Sequence, residues 1–143
     1  MTKKILSALV FFFIILHLTE IHAEEIKNIE IFDPKQNKVV HVVQSNLQIN
    51  NMISDWIKNI DGICAKIDPV TDDGYAIKIP LDPAIDVHGK YLNALVDVVY
   101  IIIPENDPPF FLIFESRNRL SCFPFNGDID VLSKILDFNL KSK

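Results

Sequence analysis

Residues 91–125 read YLNALVDVVYIIIPENDPPFFLIFESRNRLSCFPF. Residues 92–104, 110–115 and 120–125 are dense in β-branched and aromatic side chains, and the polar turns 105–109 and 116–119 separate them. Runs of this kind, bounded by Pro, Asn and charged residues, are strands joined by tight connections. No other part of the chain concentrates core-forming residues so heavily, so this stretch is the sheet on which the rest packs. Residues 98–103 are apolar at every position, and a strand is apolar on both faces only where both are covered.

Downstream, Asn126-Gly127-Asp128 ends the last strand and caps a closing helix with Ile129, Leu132, Ile135 and Leu136 on its apolar side. Upstream, Tyr75, Ile77, Ile79 and Leu81 alternate as a strand, and Pro80 marks an edge or a strand end because it cannot donate to a ladder. Residues 82–90 (DPAIDVHGK) read as an irregular segment, and Asp68, Asp72 and Asp73 as a solvated loop. A helix begins at Ser45 or Asn46 and ends at Gly62. Ile49, Met52, Ile53, Trp56, Ile57 and Ile60 form its apolar stripe, while Asn50, Asn51, Asp55, Lys58 and Asn59 read as its polar side. Residues 26–32 and 39–43 are two strands around the turn 33–38, a hairpin. The four glycines all fall at these junctions, so breaker positions and periodicity agree.

The order is β-β-α-β(several)-α, an α+β domain. A single antiparallel meander with two helices on one face buries every apolar stripe at once. TATA-binding-protein-like and helix-grip folds have nearly this order, an analogy of topology that carries no function.

The N-terminus reads as a secretory signal over residues 1–23: Lys3-Lys4, then the apolar run 5–18, then a short polar region ending in Ala23. The apolar run is shorter than the roughly 20 residues that span a bilayer, so a membrane role requires that this segment be retained. Residues 24–143 form one domain. The whole chain has 14 Lys and Arg against 19 Asp and Glu; without Lys3, Lys4 and Glu20 the balance is 12 against 18, a net −6. That charge disfavours nucleic acid as a partner.

Cys64 and Cys122 permit one intramolecular disulfide in an exported protein; the alternative is two buried thiols. No nucleophile elbow, phosphate-cradling loop or HExxH is present, and no cofactor is expected. His41 reads as a strand-face residue. Asp82, Asp86 and His88 share one segment and offer two carboxylates and an imidazole to a metal, or an acid–base pair for hydrolysis. A cysteine nucleophile activated by a histidine is removed if the two cysteines pair.

The remaining signal is apolar surface. Val98, Pro109, Phe110 and Phe111 mark a candidate interaction surface, because one face of so small a sheet carries more apolar residues than a monomer requires. Its partner is an envelope component, another protein or a second copy forming a homodimer; the competing reading is that the N-terminal hairpin covers this face.

The start MTKKILSALVFFFIIL, the strand IKNIEIF, the helix NLQINNMISDWIKNI and the closing RLSCFPFNGDIDVLSKIL resemble small exported proteins of Bacillus-type Gram-positive bacteria. The resemblance implies an extracytoplasmic α+β domain and no particular reaction. Many proteins of that shape are lipid-anchored, and this chain lacks the acceptor cysteine near its leader. The expected function is therefore non-enzymatic binding at the cell envelope or in the medium.

Overall fold

A computed structural model describes residues 27–65 and 71–141. The leader read over residues 1–23 and the loop residue Asp68 lie outside them. Six strands, β1 (Asn28–Asp33), β2 (Lys38–Gln44), β3 (Tyr75–His88), β4 (Asn93–Ile103), β5 (Phe110–Ser116) and β6 (Arg119–Pro124), form one antiparallel sheet. Two helices, α1 (Leu47–Lys58) and α2 (Ile129–Ile135), complete the α+β domain.

The strand order is β2-β1-β3-β4-β5-β6, so only β3 to β6 form a meander. The hairpin β1–β2 joins through β1, and the chain leaves β2, passes through α1 and returns as β3 on the far side of β1. A simple meander would have placed β3 beside β2. The crossover through α1 instead gives β1 a partner on each edge.

One core fills the space between the sheet and the helices. Ile29, Ile31, Ile77, Ile79, Val99 and Ile101 contribute from the central strands, and Phe111, Ile113 and Phe123 from β5 and β6. Ile49, Ile53 and Ile57 of α1 meet them, with Leu132, Leu136 and Leu140 from α2 and beyond. Asn46 is the α1 cap, accepting from the Ile49 amide at 2.9 Å. Asp128 caps α2 by accepting from the Asp130 and Val131 amides. Trp56 meets Phe125 edge-on at 5.3 Å and lies directly over Gly127, where a Cβ would stand 2.6 Å from the indole. That crowding, rather than any left-handed backbone, requires glycine between β6 and α2.

Residues 82–88 are not an irregular loop. β3 runs through them, and the disturbance is confined to a register shift between Pro80 and Ile85. Pro80 pairs with Val98 and Ile85 with Val96, so the four residues 81–84 oppose Asp97 alone. Pro80 thus lies within β3, two residues past the last pair with β1 and just before the bulge, where β3 is paired only with β4 and a missing donor is tolerated. On β4 the parity changes there: Val99 and Ile101 face the helices on one side of Asp97, Ala94 and Val96 on the other.

The bulge also explains Asn50, which the helical pattern placed on the polar side and which is only 8% exposed. It stands three and seven positions before Ile53 and Ile57, hence on the edge of the apolar stripe. Its amide donates to the Asp82 carbonyl in the bulge at 2.6 Å, and its Oδ1 accepts from Ser45 Oγ at 3.1 Å.

Cys64 and Cys122 are disulfide-bonded, with Cα atoms 5.3 Å apart. The Cys64 amide also donates to the Cys122 carbonyl at 3.0 Å, so the segment after α1 runs along the outer edge of β6. The pairing is compatible with an oxidising, extracytoplasmic setting. Among the described residues, no helix is long and apolar enough to cross a membrane.

Two stability outcomes follow from these contacts. Closing a loop of 58 residues contributes about 4 kcal/mol in the chain-entropy model, so a Cys64→Ala/Cys122→Ala variant should lose about that much in urea unfolding. Replacing Asn50 with Ala strands the Asp82 carbonyl and should cost about 1–3 kcal/mol; an unchanged urea midpoint would show that water replaces the amide.

Candidate functional site

The sheet face away from the helices is apolar as well. In register across five strands it carries the row Phe32, Ala76, Ile102, Phe110 and Pro124. The adjacent row is Glu30, Lys78, Tyr100, Leu112 and Cys122. Ile102, Phe110, Leu112 and Cys122 form a second buried cluster, with Cys64, Ala76 and Tyr100 packed on it. The disulfide therefore roofs one end of this face.

The uncovered part is a cleft of about 330 Å³. Phe32 and Pro34 form one end, and Phe114 and Leu120 the other. Tyr100, Ile102 and Leu112 form its middle, and Thr71 adds a hydroxyl at the rim. That hydroxyl is occupied, donating to the Asp73 carbonyl at 2.9 Å. Ala76 is the floor: its methyl stands in register between the larger Phe32 and Ile102, and this short side chain leaves the hollow. No lining residue is charged. Phe114 and Leu120 are 48% and 42% exposed, and Val39 and Val42 extend the apolar surface onto β2. The N-terminal hairpin does not cover this face, because β1 and β2 extend the sheet edgewise.

The expected surface residues divide between the two faces. Phe111 is fully buried in the helix-side core, and Phe110, 2% exposed, lies in the second cluster. Adjacent strand residues point to opposite faces, and both faces here have cover at β5, so neither phenylalanine is surface. Val98 and Pro109 are half-buried, and the Pro109 carbonyl accepts from the Phe125 amide at 3.2 Å. The exposed apolar residues on this face are instead Phe114 and Leu120, with Val39 and Val42 on β2, while Phe32 and Tyr100 are half-buried in the cleft. Their sequence signal was the even-numbered alternation Ala76, Tyr100, Ile102, but only the register shows that these positions share a face.

Asp82, Asp86 and His88 are not gathered around one point. Asp82 faces Lys27 at 3.7 Å, beside the bulge, whereas Asp86 and His88 point from one side of regular strand. Among the described residues, no cluster of three metal-ligating side chains forms. His88 is held between two neighbours: Asn93 Oδ1 lies 3.0 Å from its Nδ1, and Asp86 Oδ2 lies 3.0 Å from its Nε2. His41 donates its Nε2–H to the Leu136 carbonyl at 2.9 Å and stacks on Phe138, tying β2 to the end of α2. The disulfide leaves no free cysteine, so a thiol nucleophile is absent from the oxidised protein.

Comparison with protein-family models, curated proteins and solved structures found no match.

The His88 environment sets a pH response. Acceptance by Asn93, then by the Asp86 carboxylate, raises the imidazole pKa above its ordinary value of 6.5. Its contribution to stability is full below that ordinary value and is lost as pH rises through the raised folded-state value. The side chains are exposed, so the contribution is small. Asp86→Asn should lower the His88 midpoint in an NMR titration of its ring protons. An unmoved midpoint would mean the pair does not persist in water.

Proposed function

We propose that this protein is an exported, non-enzymatic binding module whose working surface is the sheet face opposite α1 and α2. The cleft over Ala76 carries this reading. A hollow of about 330 Å³ with no charged lining residue lies within the size range of small-molecule sites, roughly 300–1,000 Å³. Water gains few hydrogen bonds there, and an apolar group replaces it favourably. The disulfide supports export, since it persists only where thiols are not kept reduced. The helix-grip-like character of the topology belongs to the same proposal and rests on element order.

A metal site or hydrolase at Asp82, Asp86 and His88 has less support, because Asp82 is engaged with Lys27 away from the other two. An interface between two copies of this face is the competing binding mode.

Filling the floor tests the reading. The wild-type protein should bind the neutral solvatochromic dye Nile red with a blue-shifted, enhanced emission. Ala76→Leu should lose that signal while keeping its thermal midpoint, since the added atoms enter open space on the sheet face. Absence of dye binding by the wild-type protein, or full binding by Ala76→Leu, defeats the assignment.

A further inference from the structure

We infer that the cleft takes a single-chain amphipathic monoanion, a carboxylate on an unbranched hydrocarbon, with its chain over Ala76 and its headgroup at Lys78. This rests on the cleft being the binding site and adds the class of ligand.

Lys78 is placed by the register. It stands on the same strand face as Ala76, two residues along β3, and directly opposite Tyr100 on β4. Ala76 and Tyr100 both line the cleft, so the Lys78 stem rises from its flank. Its ammonium forms no ion pair or hydrogen bond with any described residue, and the side chain is exposed. The charges at the Pro34 end are committed: Lys35 pairs with Glu105, whose amide donates to Asp73. Arg119, beside Leu120, pairs with Glu115 at 2.8 Å. A hollow with no charged lining residue and, among the described residues, the unengaged ammonium of Lys78 on its flank is complementary to a hydrocarbon carrying one negative charge.

Glu30 narrows the headgroup. It faces Lys78 from β1, on the side away from Tyr100, without closing a salt bridge. One carboxylate beside one ammonium tolerates a monoanion, which Lys78 can hold with up to three donors. A phosphate dianion would meet repulsion from Glu30, and no arginine fork is offered to compensate. The size of the hollow, near the lower end for ligand sites, suits one chain rather than two.

The experiment is a fluorescence titration of the purified protein with dansyl-undecanoate, displaced by dodecanoate, dodecanol or dodecyl phosphate. Dodecanoate should displace the probe best. Lys78→Met should weaken dodecanoate by roughly tenfold, the worth of a charge-assisted hydrogen bond, and leave dodecanol unchanged. Equal displacement by dodecanoate and dodecanol, with Lys78→Met indifferent, overturns the headgroup assignment while the cleft stands. Preference for dodecyl phosphate overturns the monoanion. A probe that ignores wild-type protein, or binds Ala76→Leu as well, overturns both readings. Probe exclusion accompanied by a dimer in sedimentation assigns the face to a second copy and overturns the inference.

Discussion

Six strands present two faces, and among the described residues helices cover only one of them. Ile49, Ile53 and Ile57 of α1, with Leu132 and Leu136 of α2, close the helix side into a continuous core. A sheet covered once is ordinarily polar on its free side, because antiparallel strands alternate between core and water. Here the free side is built from Phe32, Ala76, Tyr100, Ile102 and Leu112. The Cys64–Cys122 cluster covers one end and leaves the rest as a cleft. The functional assignment depends on this imbalance between two apolar faces and one layer of helices.

The disulfide mediates between the two sides. The segment after α1 must leave the helix layer, pass the edge of β6 and reach the other face. The covalent link and the Cys64–Cys122 backbone hydrogen bond hold it there. The same passage shields the β6 edge, which would otherwise offer unpaired backbone groups to another strand. One crosslink thus contributes to stability, edge protection and the shape of the cleft's end.

The second organising feature is the bulge at residues 81–84. It begins directly after Pro80, changes which β4 residues face the helices, and leaves the Asp82 carbonyl for Asn50. The segment looked irregular because Asp-Pro and Gly are turn formers. Local composition reports what a peptide prefers in isolation, whereas cross-strand pairing to residues 98–103 before the bulge and to residues 93–96 after it imposes the strand on both sides. The same pairing separates Asp82 from Asp86 and His88, so proximity in sequence did not become a site.

The sequence by itself determined the elements: both helices, the hairpin and the three strands of residues 91–125 follow from apolar periods and from glycines at the junctions. Those signals are local, set by 3.6- and 2-residue repeats within one segment. Tertiary structure alone decided that β3 lies beside β1, that Cys64 meets Cys122, that Asn50 is buried, and that Phe110 and Phe111 face opposite covers. It also decided that a single alanine between Phe32 and Ile102 becomes the floor of a cleft beside Lys78. These outcomes depend on register between strands far apart in the chain, and a one-residue slip in register moves every side chain to the other face.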